Sequence, residues 1–320
     1  MPKVLATAPL DEYATRVLSG FGEFVIAPDM RESTLAEMMD GVVALAVRGA
    51  APITEAVLAR APHLRVIGRT GVGYDTVDIA AASRRGIPVI YTPGAGARAV
   101  GEAAMTFMLA LSKLLVFWDG QLKSGNWKSR LETQGGDLDG RTLGIIGLGR
   151  IGRVLAEMAR PFNMTILAYD PYLESTAGQD LGVQMVGLEE LLRRADFVSL
   201  HCPQTPETRG MINRERLSWM KPGSYLINLA RGGVIESLDL LDEALASGHL
   251  AGVALDVFAP SPPDISHPLF RHPNCLTSPH AMATTQAAMT RIFRSMADDM
   301  AAVLRGERPN FVVNPDILPA

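Results

Sequence analysis

A chain of 320 residues with 48% hydrophobic and 20% charged residues has the composition of an ordinary soluble globular protein, long enough for two domains that each bury a core. The formal net charge of −4, without a Lys/Arg cluster, gives no basic footprint for nucleic acid. Two cysteines, Cys202 and Cys275, indicate neither a disulfide framework nor a thiolate metal site, and no metal is expected; the opening MPKVLATAPL lacks the long apolar core of a signal peptide, so the expected location is cytoplasmic.

The first hundred residues alternate short apolar runs with helical patterns. Strands are expected at Val4–Ala6, Phe24–Ile26, Val42–Val47, Leu64–Ile67 and Val89–Tyr91, with helices near 12–19, 34–40, 54–60 and 76–85. Thr34 and Glu37 have capping-box spacing, and Asp75 is placed to cap the last of these helices. Such alternation implies a parallel, helix-covered sheet. Thr92-Pro93-Gly94-Ala95-Gly96 breaks the pattern, and a long apolar helix is expected from about 99 to 118. Its greasiest run, Ala103 to Trp118, carries Lys113 and is too short to span a bilayer. A helix so apolar must be buried, between domains or against a second subunit. Both together predict a homodimer.

After a loop-rich stretch, 120–140, a second alternating series opens with LGIIGLGRIGRVLAEMARPFNMTILAYD, Leu143 to Asp170. The run Leu143–Ile146 reads as a buried strand, Gly147, Gly149 and Gly152 follow as G-x-G-x-x-G, and 150–160 has helical periodicity. The second run, Thr165–Tyr169, ends at Asp170, 18 positions past the last glycine, close to the roughly 20 expected of a dinucleotide-binding βαβ unit. Gly147 permits the turn, Gly149 lets backbone approach a pyrophosphate, and Gly152 lets the helix pack closely on the sheet. The helix N-terminus offers N–H groups and a positive dipole end to phosphate. Asp170 can accept from both ribose hydroxyls and would repel a 2′-phosphate, which selects NAD over NADP.

Later strands are expected at Phe197–Leu200, Ser224–Leu229, Ala251–Leu255 and Cys275–Thr277, then a helix over about 284–304 and an extended return, Asn310–Asn314. This plan is a discontinuous first domain, 1–98 with 288–320, into which a nucleotide domain, 99–287, is inserted. Ligands of open α/β sheets gather beyond the carboxyl ends of the strands. There stand His201, Arg231, Asp256 and His280. His201 and Asp256 also fit capping or loop roles. Arg231, between Ala230 and Gly232-Gly233, reads as a cation aimed by a tight loop.

The chain resembles the D-isomer-specific 2-hydroxyacid dehydrogenases, the family of phosphoglycerate dehydrogenase and glyoxylate/hydroxypyruvate reductase. The resemblance rests on Gly71-Val72-Gly73-Tyr74-Asp75 with Val77-Asp78, on Thr92-Pro93-Gly94, and on Leu143 to Gly152. It continues through His201-Cys202-Pro203 with Thr205-Pro206-Glu207-Thr208, Asn228-Leu229-Ala230-Arg231-Gly232-Gly233, Leu255-Asp256-Val257-Phe258 and Pro279-His280. It implies an α/β fold of two Rossmann-like domains with parallel sheets, the nucleotide domain inserted into a flavodoxin-like substrate domain. It further implies NAD-dependent hydride transfer between nicotinamide and a small 2-hydroxy or 2-oxo acid, mainly as 2-oxo acid reduction. Arg231 would hold the substrate carboxylate and carbonyl oxygen. His280 would be the acid–base group. The N–H groups of Val72 and Gly73 would cradle the carboxylate, with Arg48 near the substrate mouth. The implied cofactor set is Val100, Gly147, Gly149, Arg150, Ile151, Gly152, Asp170, His201, Pro203, Thr208, Ala230, Asp256 and His280. In it Asp256 would bond the nicotinamide carboxamide, while His201 and Pro203 would line the adenosine side.

Two positions depart from the family. It usually reads Asp-Val-Phe, two residues, then Glu-Pro, and that glutamate pairs with the histidine; here Ser261 occupies the place. Gly96 stands where asparagine is common. Asp264, three residues past Ser261, is the available substitute, though Pro262 and Pro263 stiffen the link. The alternative expectation is a weakly active or inactive NAD(H)-binding sensor that presents a surface to a partner.

Overall fold

A run such as Val42–Val47, apolar at every position, needs cover on both faces, which a helix-flanked parallel sheet supplies. The computed structural model describes residues 1–318 and contains two such sheets in two units. Residues 319 and 320, at the end of the expected substrate domain, lie outside the described residues.

The first unit comprises Met1–Gly96 and the chain from Thr285 onward. It contains β1 (Lys3–Ala6), α1 (Glu12–Ser19), β2 (Glu23–Ile26), α2 (Glu32–Met38), β3 (Val42–Val47), α3 (Glu55–Ala59), β4 (Val66–Arg69), α4 (Ile79–Arg84) and β5 (Val89–Ile90). The five strands are parallel in the order β2-β1-β3-β4-β5, a flavodoxin-like sheet. Leu35, Val57, Leu58, Ala81 and Ala82 of α2, α3 and α4 bury one face.

The second unit, Ala97–Thr284, opens with α5 (Ala97–Ser112) and α6 (Leu115–Lys123). It continues through β6 (Thr142–Ile146), α7 (Arg150–Ala159), β7 (Thr165–Tyr169), β8 (Val183–Met185), α8 (Leu188–Arg194), β9 (Phe197–Leu200) and α9 (Arg214–Ser218). Then follow β10 (Ser224–Asn228), α10 (Leu238–Ala246), β11 (Leu250–Leu255) and β12 (Cys275–Thr277). Its seven parallel strands run β12-β11-β10-β9-β6-β7-β8, a doubly wound Rossmann order that reverses between β6 and β9. Helices α5 and α7 cover one face and α8, α9 and α10 the other. Gly101 lets α5 lie close on α7, since a Cβ there would stand 2.7 Å from Val154 Cγ1.

The last helix, α11 (Gln286–Arg305), returns to the first unit. Its Phe293, Met296, Ala297, Met300 and Leu304 join Ala14 and Leu18 of α1 over Val4, Ala6, Ala44, Ala46 and Val66. Gly68 makes room for it: a Cβ there would meet Met300 Sδ at 2.1 Å. Beyond α11, Val312 bridges antiparallel to Ile90, and Asn314 accepts from Val89 N–H and donates to Ile87 O and Ser83 Oγ.

Four sequence expectations are corrected. The apolar helix expected over 99–118 is two helices bent by 56°, with Leu114 in left-handed backbone at φ 54°. At the break the chain is met by a segment from further along: the Ser112 carbonyl accepts the Gly136 N–H at 2.6 Å, and Lys113 pairs with Asp137. Only α5 is buried; α6 contains no buried residue. Thr34 and Glu37 form no capping box, because α2 starts at Glu32 behind Arg31, which provides no side-chain cap. Asp78 rather than Asp75 caps α4, accepting from Ala81 N–H at 2.9 Å. Finally, β8 and α8 lie in a stretch where the periodicity gave no element. No single helix is long and apolar enough to cross a membrane among the described residues.

The extended segment 310–314 is held by a buried charge. Asp299 of α11, 1% exposed, accepts from Asn310 N–H and Nδ2 at 2.8 Å each and from Phe311 N–H at 3.1 Å. Asp299→Ala should strand these donors and lower stability by ~3 kcal/mol. The expected signs are a lower urea midpoint and rapid amide exchange over residues 310–313. Unchanged exchange there would show that the carboxylate is not the fastening.

Candidate active site

Strand β6 hands the chain to α7 through three glycines, of which Gly147 and Gly152 leave no room for a Cβ. Gly147 has φ +97°, and a Cβ there would lie 2.8 Å from Cys202 N and 2.9 Å from His201 C. A Cβ on Gly152 would lie 2.2 Å from Gly147 O, so the first turn of α7 rests on the loop itself. Gly149, the N-cap, is open: a Cβ would meet nothing within 4 Å. An open approach to a helix start is what a pyrophosphate requires. Arg150 and Ile151 form the first turn of α7. Asp170, just past β7, closes the other side of the loop. Its Oδ2 accepts from Leu148 N–H at 3.0 Å and its Oδ1 from Tyr172 N–H at 3.1 Å.

At the end of β9, His201 stands beside Gly147. Its Nε2 is 2.8 Å from Ser199 Oγ, while Nδ1 is enclosed without a partner among the described residues. Burial pushes the imidazole down to about 4 and the neighbouring Cys202 thiol up to about 11. The exposed Pro203 follows, and its carbonyl accepts from Thr208 Oγ1 at 2.6 Å. Thr208 Oγ1 also accepts from Thr205 N–H at 2.7 Å, so this residue staples its own turn. Val100, half-buried on α5, packs on the apolar core beneath α7.

Strand β10 ends in Asn228, which is 0% exposed. Its Oδ1 accepts from Ala230 N–H at 3.0 Å and its Nδ2 donates to Arg231 O at 2.9 Å, so one amide brackets the turn that carries Arg231. Arg231 is half-buried and extended, with Nη1 donating to Ala230 O at 2.7 Å. Gly232 presses on the next loop: a Cβ would sit 2.0 Å from Phe258 C. Asp256, 3% exposed, follows β11 and accepts on Oδ1 from Ala281 N–H at 2.9 Å and Met282 N–H at 3.3 Å. His280, exposed, follows β12 with φ 56°. Because the strands are parallel, the glycine loop, His201, Arg231, Asp256 and His280 all lie at the carboxyl edge of one sheet.

Ser261 is exposed in the loop after β11, and Asp264 is engaged within that loop. The Asp264 Oδ1 accepts from Ser266 N–H at 2.9 Å and Oγ at 2.7 Å, and these bonds hold the carboxyl below its usual range. The substitution of Asp264 for the missing glutamate is therefore corrected: its carboxylate faces Ser266.

In the first unit, Arg48 follows β3. Its guanidinium lies 5.2 Å from the Phe293 ring centroid and donates to Pro9 O, and Thr7 Oγ1 bonds both its N–H and its carbonyl at 2.8 Å. After β4, Gly71 turns with φ +98° and donates its N–H to Thr92 Oγ1 at 2.9 Å. The next two amides, Val72 and Gly73, donate to no acceptor among the described residues. Successive free N–H groups of this kind form an anion-binding concavity.

Sequence reasoning gave no role to Asn228, although a polar residue closing the strand SYLIN was its visible signal. Thr92 was likewise quoted only as part of a loop.

The family model described as "D-isomer specific 2-hydroxyacid dehydrogenase, NAD binding domain" matches residues 105–282. The D-3-phosphoglycerate dehydrogenase of Methanocaldococcus jannaschii is 39% identical over 100% of this chain and 60% of its own length. The chain thus spans well under two thirds of that relative. The crystal structure of the TT0316 protein from Thermus thermophilus superposes with a TM-score of 0.90 at 35% identity, covering 97% of this chain and 99% of the other. D-lactate dehydrogenase from Aquifex aeolicus, complexed with NAD and lactic acid, gives 0.88 at 27% identity, covering 99% and 100%.

The enclosed His201 predicts an acid-sensitive fold. An unfolded histidine titrates near 6.5, so between there and about 4 the unfolded chain binds a proton that the folded one refuses. Stability is complete above pH 6.5 and falls as pH drops through that window, by ~3 kcal/mol at its acid end. His201→Gln should flatten the decline of thermal midpoint between pH 7 and 4.5. An identical decline in both proteins would mean that other groups cause it.

Proposed function

Because this chain belongs to the D-isomer-specific 2-hydroxyacid dehydrogenase family, we propose that it moves a hydride between NAD(H) and a small 2-hydroxy or 2-oxo acid, working mainly as a 2-oxo acid reductase. The observation that carries this reading is that Arg231 and His280 stand at the ends of β10 and β12, on the same sheet edge as the open glycine loop. NAD, when bound, supplies or takes the hydride. The chain's own residues do the rest. The N–H groups at the start of α7 (Gly149, Arg150, Ile151) and of the loop before it receive the pyrophosphate, with Gly147 and Gly152 keeping that approach open. Asp170 receives the adenosine ribose on the lone pairs its two amide contacts leave. Val100, His201, Pro203, Thr208 and Ala230 complete the cofactor's surroundings. His201 does so as a neutral ring and Thr208 by fixing the turn that carries Pro203.

Arg231 holds the substrate carboxylate and polarises the carbonyl oxygen, and its planar fork gives two parallel bonds where lysine would give one. His280 delivers the proton to that oxygen in reduction and removes it in oxidation. Val72 and Gly73 offer backbone N–H groups to the carboxylate, and Arg48 adds positive charge for acids that bear a second anionic group.

The test is a panel of 2-oxo acids (pyruvate, glyoxylate and the 2-oxo acid of 3-phosphoglycerate) with NADH and NADPH, following loss of reduced cofactor. The expected result is turnover with NADH and little with NADPH, because the Asp170 carboxylate repels a 2′-phosphate. Arg231→Lys should lower kcat/KM by ~100-fold or more. Absence of turnover with every acid, while NADH still binds, would replace this reading with that of a cofactor-binding protein.

A second copy of the chain is the partner we propose. Helix α6 and the turn after it expose Leu115 (60%), Leu122 (60%), Trp127 (61%) and Leu131 (79%), a run of apolar surface that a monomer would rarely leave open. Sedimentation should give twice the chain mass, and Leu115→Glu with Leu122→Glu should halve it. A monomeric unaltered protein would refute the pairing.

A further inference from the structure

His280 sits on a turn that no strand or helix supports. It follows β12 with φ 56°, a left-handed conformation that crowds an L side chain and persists only where the surroundings impose it. Its own N–H reaches back to Ser278 O at 3.0 Å, and the next two amides, Ala281 and Met282, both donate to Asp256 Oδ1, at 2.9 and 3.3 Å. Asp256 is itself fixed. It is 3% exposed, its N–H is bonded to Asn228 O at 3.0 Å, and it directly follows Leu255, which pairs with Thr277 in the sheet. A rigid carboxylate at the end of β11 thus grips the backbone immediately after His280.

The family resemblance gives Asp256 only a contact with the cofactor. We propose that Asp256 is also a positioning residue, dividing its two oxygens: Oδ1 fixes the left-handed turn that aims His280, and Oδ2 faces the nicotinamide carboxamide. The catalytic half of this proposal rests on the dehydrogenase reading above; the structural half does not. Both oxygens are anchored by the same strand end, so the proton-donating ring and the cofactor are referenced to one carboxylate. Their separation is then set by hydrogen bonds to the two oxygens of one anchored carboxylate.

The division makes two substitutions behave differently. In Asp256→Asn the remaining oxygen must turn toward Ala281 and Met282 to satisfy their N–H groups, which leaves the amide NH2 where Oδ2 stood. The turn survives while the cofactor contact changes from acceptor to donor. In Asp256→Ala both functions are lost and two amides are stranded.

The experiment compares the full-length protein with both variants by NADH binding, steady-state kinetics and amide exchange of residues 278–284 without cofactor. Asp256→Asn should weaken NADH and raise its KM by ~10-fold or more, with kcat within ~3-fold and exchange unchanged. Asp256→Ala should speed exchange across the turn and lower kcat at saturating NADH by ~100-fold, the loss expected of a reacting group displaced by about 1 Å. Equal loss of kcat in both variants with exchange unaltered would overturn the proposal, since Asp256 would then act on the cofactor alone. Unaltered kcat in Asp256→Ala at saturating NADH would overturn it too. Should that variant fail to fold, Asp256→Asn decides: faster exchange with lowered kcat refutes the division, and slow exchange with weakened NADH supports it. If the unaltered protein turns over no acid, the dehydrogenase reading has failed, and the exchange comparison alone judges whether Asp256 holds the turn.

Discussion

Every strand of a parallel sheet releases its chain at the same edge, where amides and carbonyls must find partners that neither the ladder nor the next helix provides. In this protein one small polar side chain, in most cases buried, meets that demand at strand after strand. Thr7 brackets Arg48 beside the ends of β1 and β3, and Thr92, beyond β5, receives the Gly71 amide. Asp170 receives Leu148 after β7, Asn228 spans Ala230 and Arg231 at the end of β10, and Asp256 receives Ala281 and Met282. An unpartnered buried amide would cost on the order of 1–3 kcal/mol, so these residues hold their turns to single conformations. The groups assigned to chemistry are carried on the turns so held.

Around that polar edge the sheets are almost wholly apolar, and the contrast shapes the electrostatics. His201 is kept neutral because burial beside the glycine loop penalises its charged form, with Nδ1 enclosed and Nε2 against Ser199 Oγ. A cation there would oppose the positive helix start beside it; a neutral ring adds shape without charge. Cys202, pushed up to about 11, is likewise a buried thiol rather than a nucleophile. At this edge the charged side chains of Asp170, Arg231 and Asp256 are each fixed by backbone contacts.

Much of this was legible in the residues. Val42–Val47 and Thr165–Tyr169 declared themselves as unbroken apolar runs, and G-x-G-x-x-G followed by Asp170 located the βαβ unit, because these signals are local and redundant. What escaped depends on distant chain. The periodicity of 99–118 continues smoothly through Leu114, and the helix ends there, where Gly136 crosses over Ser112. Asp75 and Asp78 offer the same capping chemistry three residues apart, and where the Ile53–Val77 bridge ends the extended chain decides between them. Asp264 lay within plausible sequence reach of His280, yet Ser266 was nearer and offered two donors. Asn228 read as one letter of a motif, since the bonds that give it work go to backbone, which a sequence does not display.

The return of α11 to the first sheet has a consequence during synthesis. Phe293, Met296 and Met300 cover Val4, Ala44 and Val66, on strands that precede α11 by more than two hundred residues in the chain. At about 5–20 residues per second, the inserted unit delays their arrival by roughly 10–40 s. Throughout that interval the nascent first sheet has one face sheathed by α2, α3 and α4 and the other bare except for α1. The second unit, contiguous in the chain, can close its core as soon as it emerges. The ribosome-bound intermediate is therefore a finished nucleotide domain tethered behind an open, sticky sheet, and that sheet is where a chaperone would find its grip.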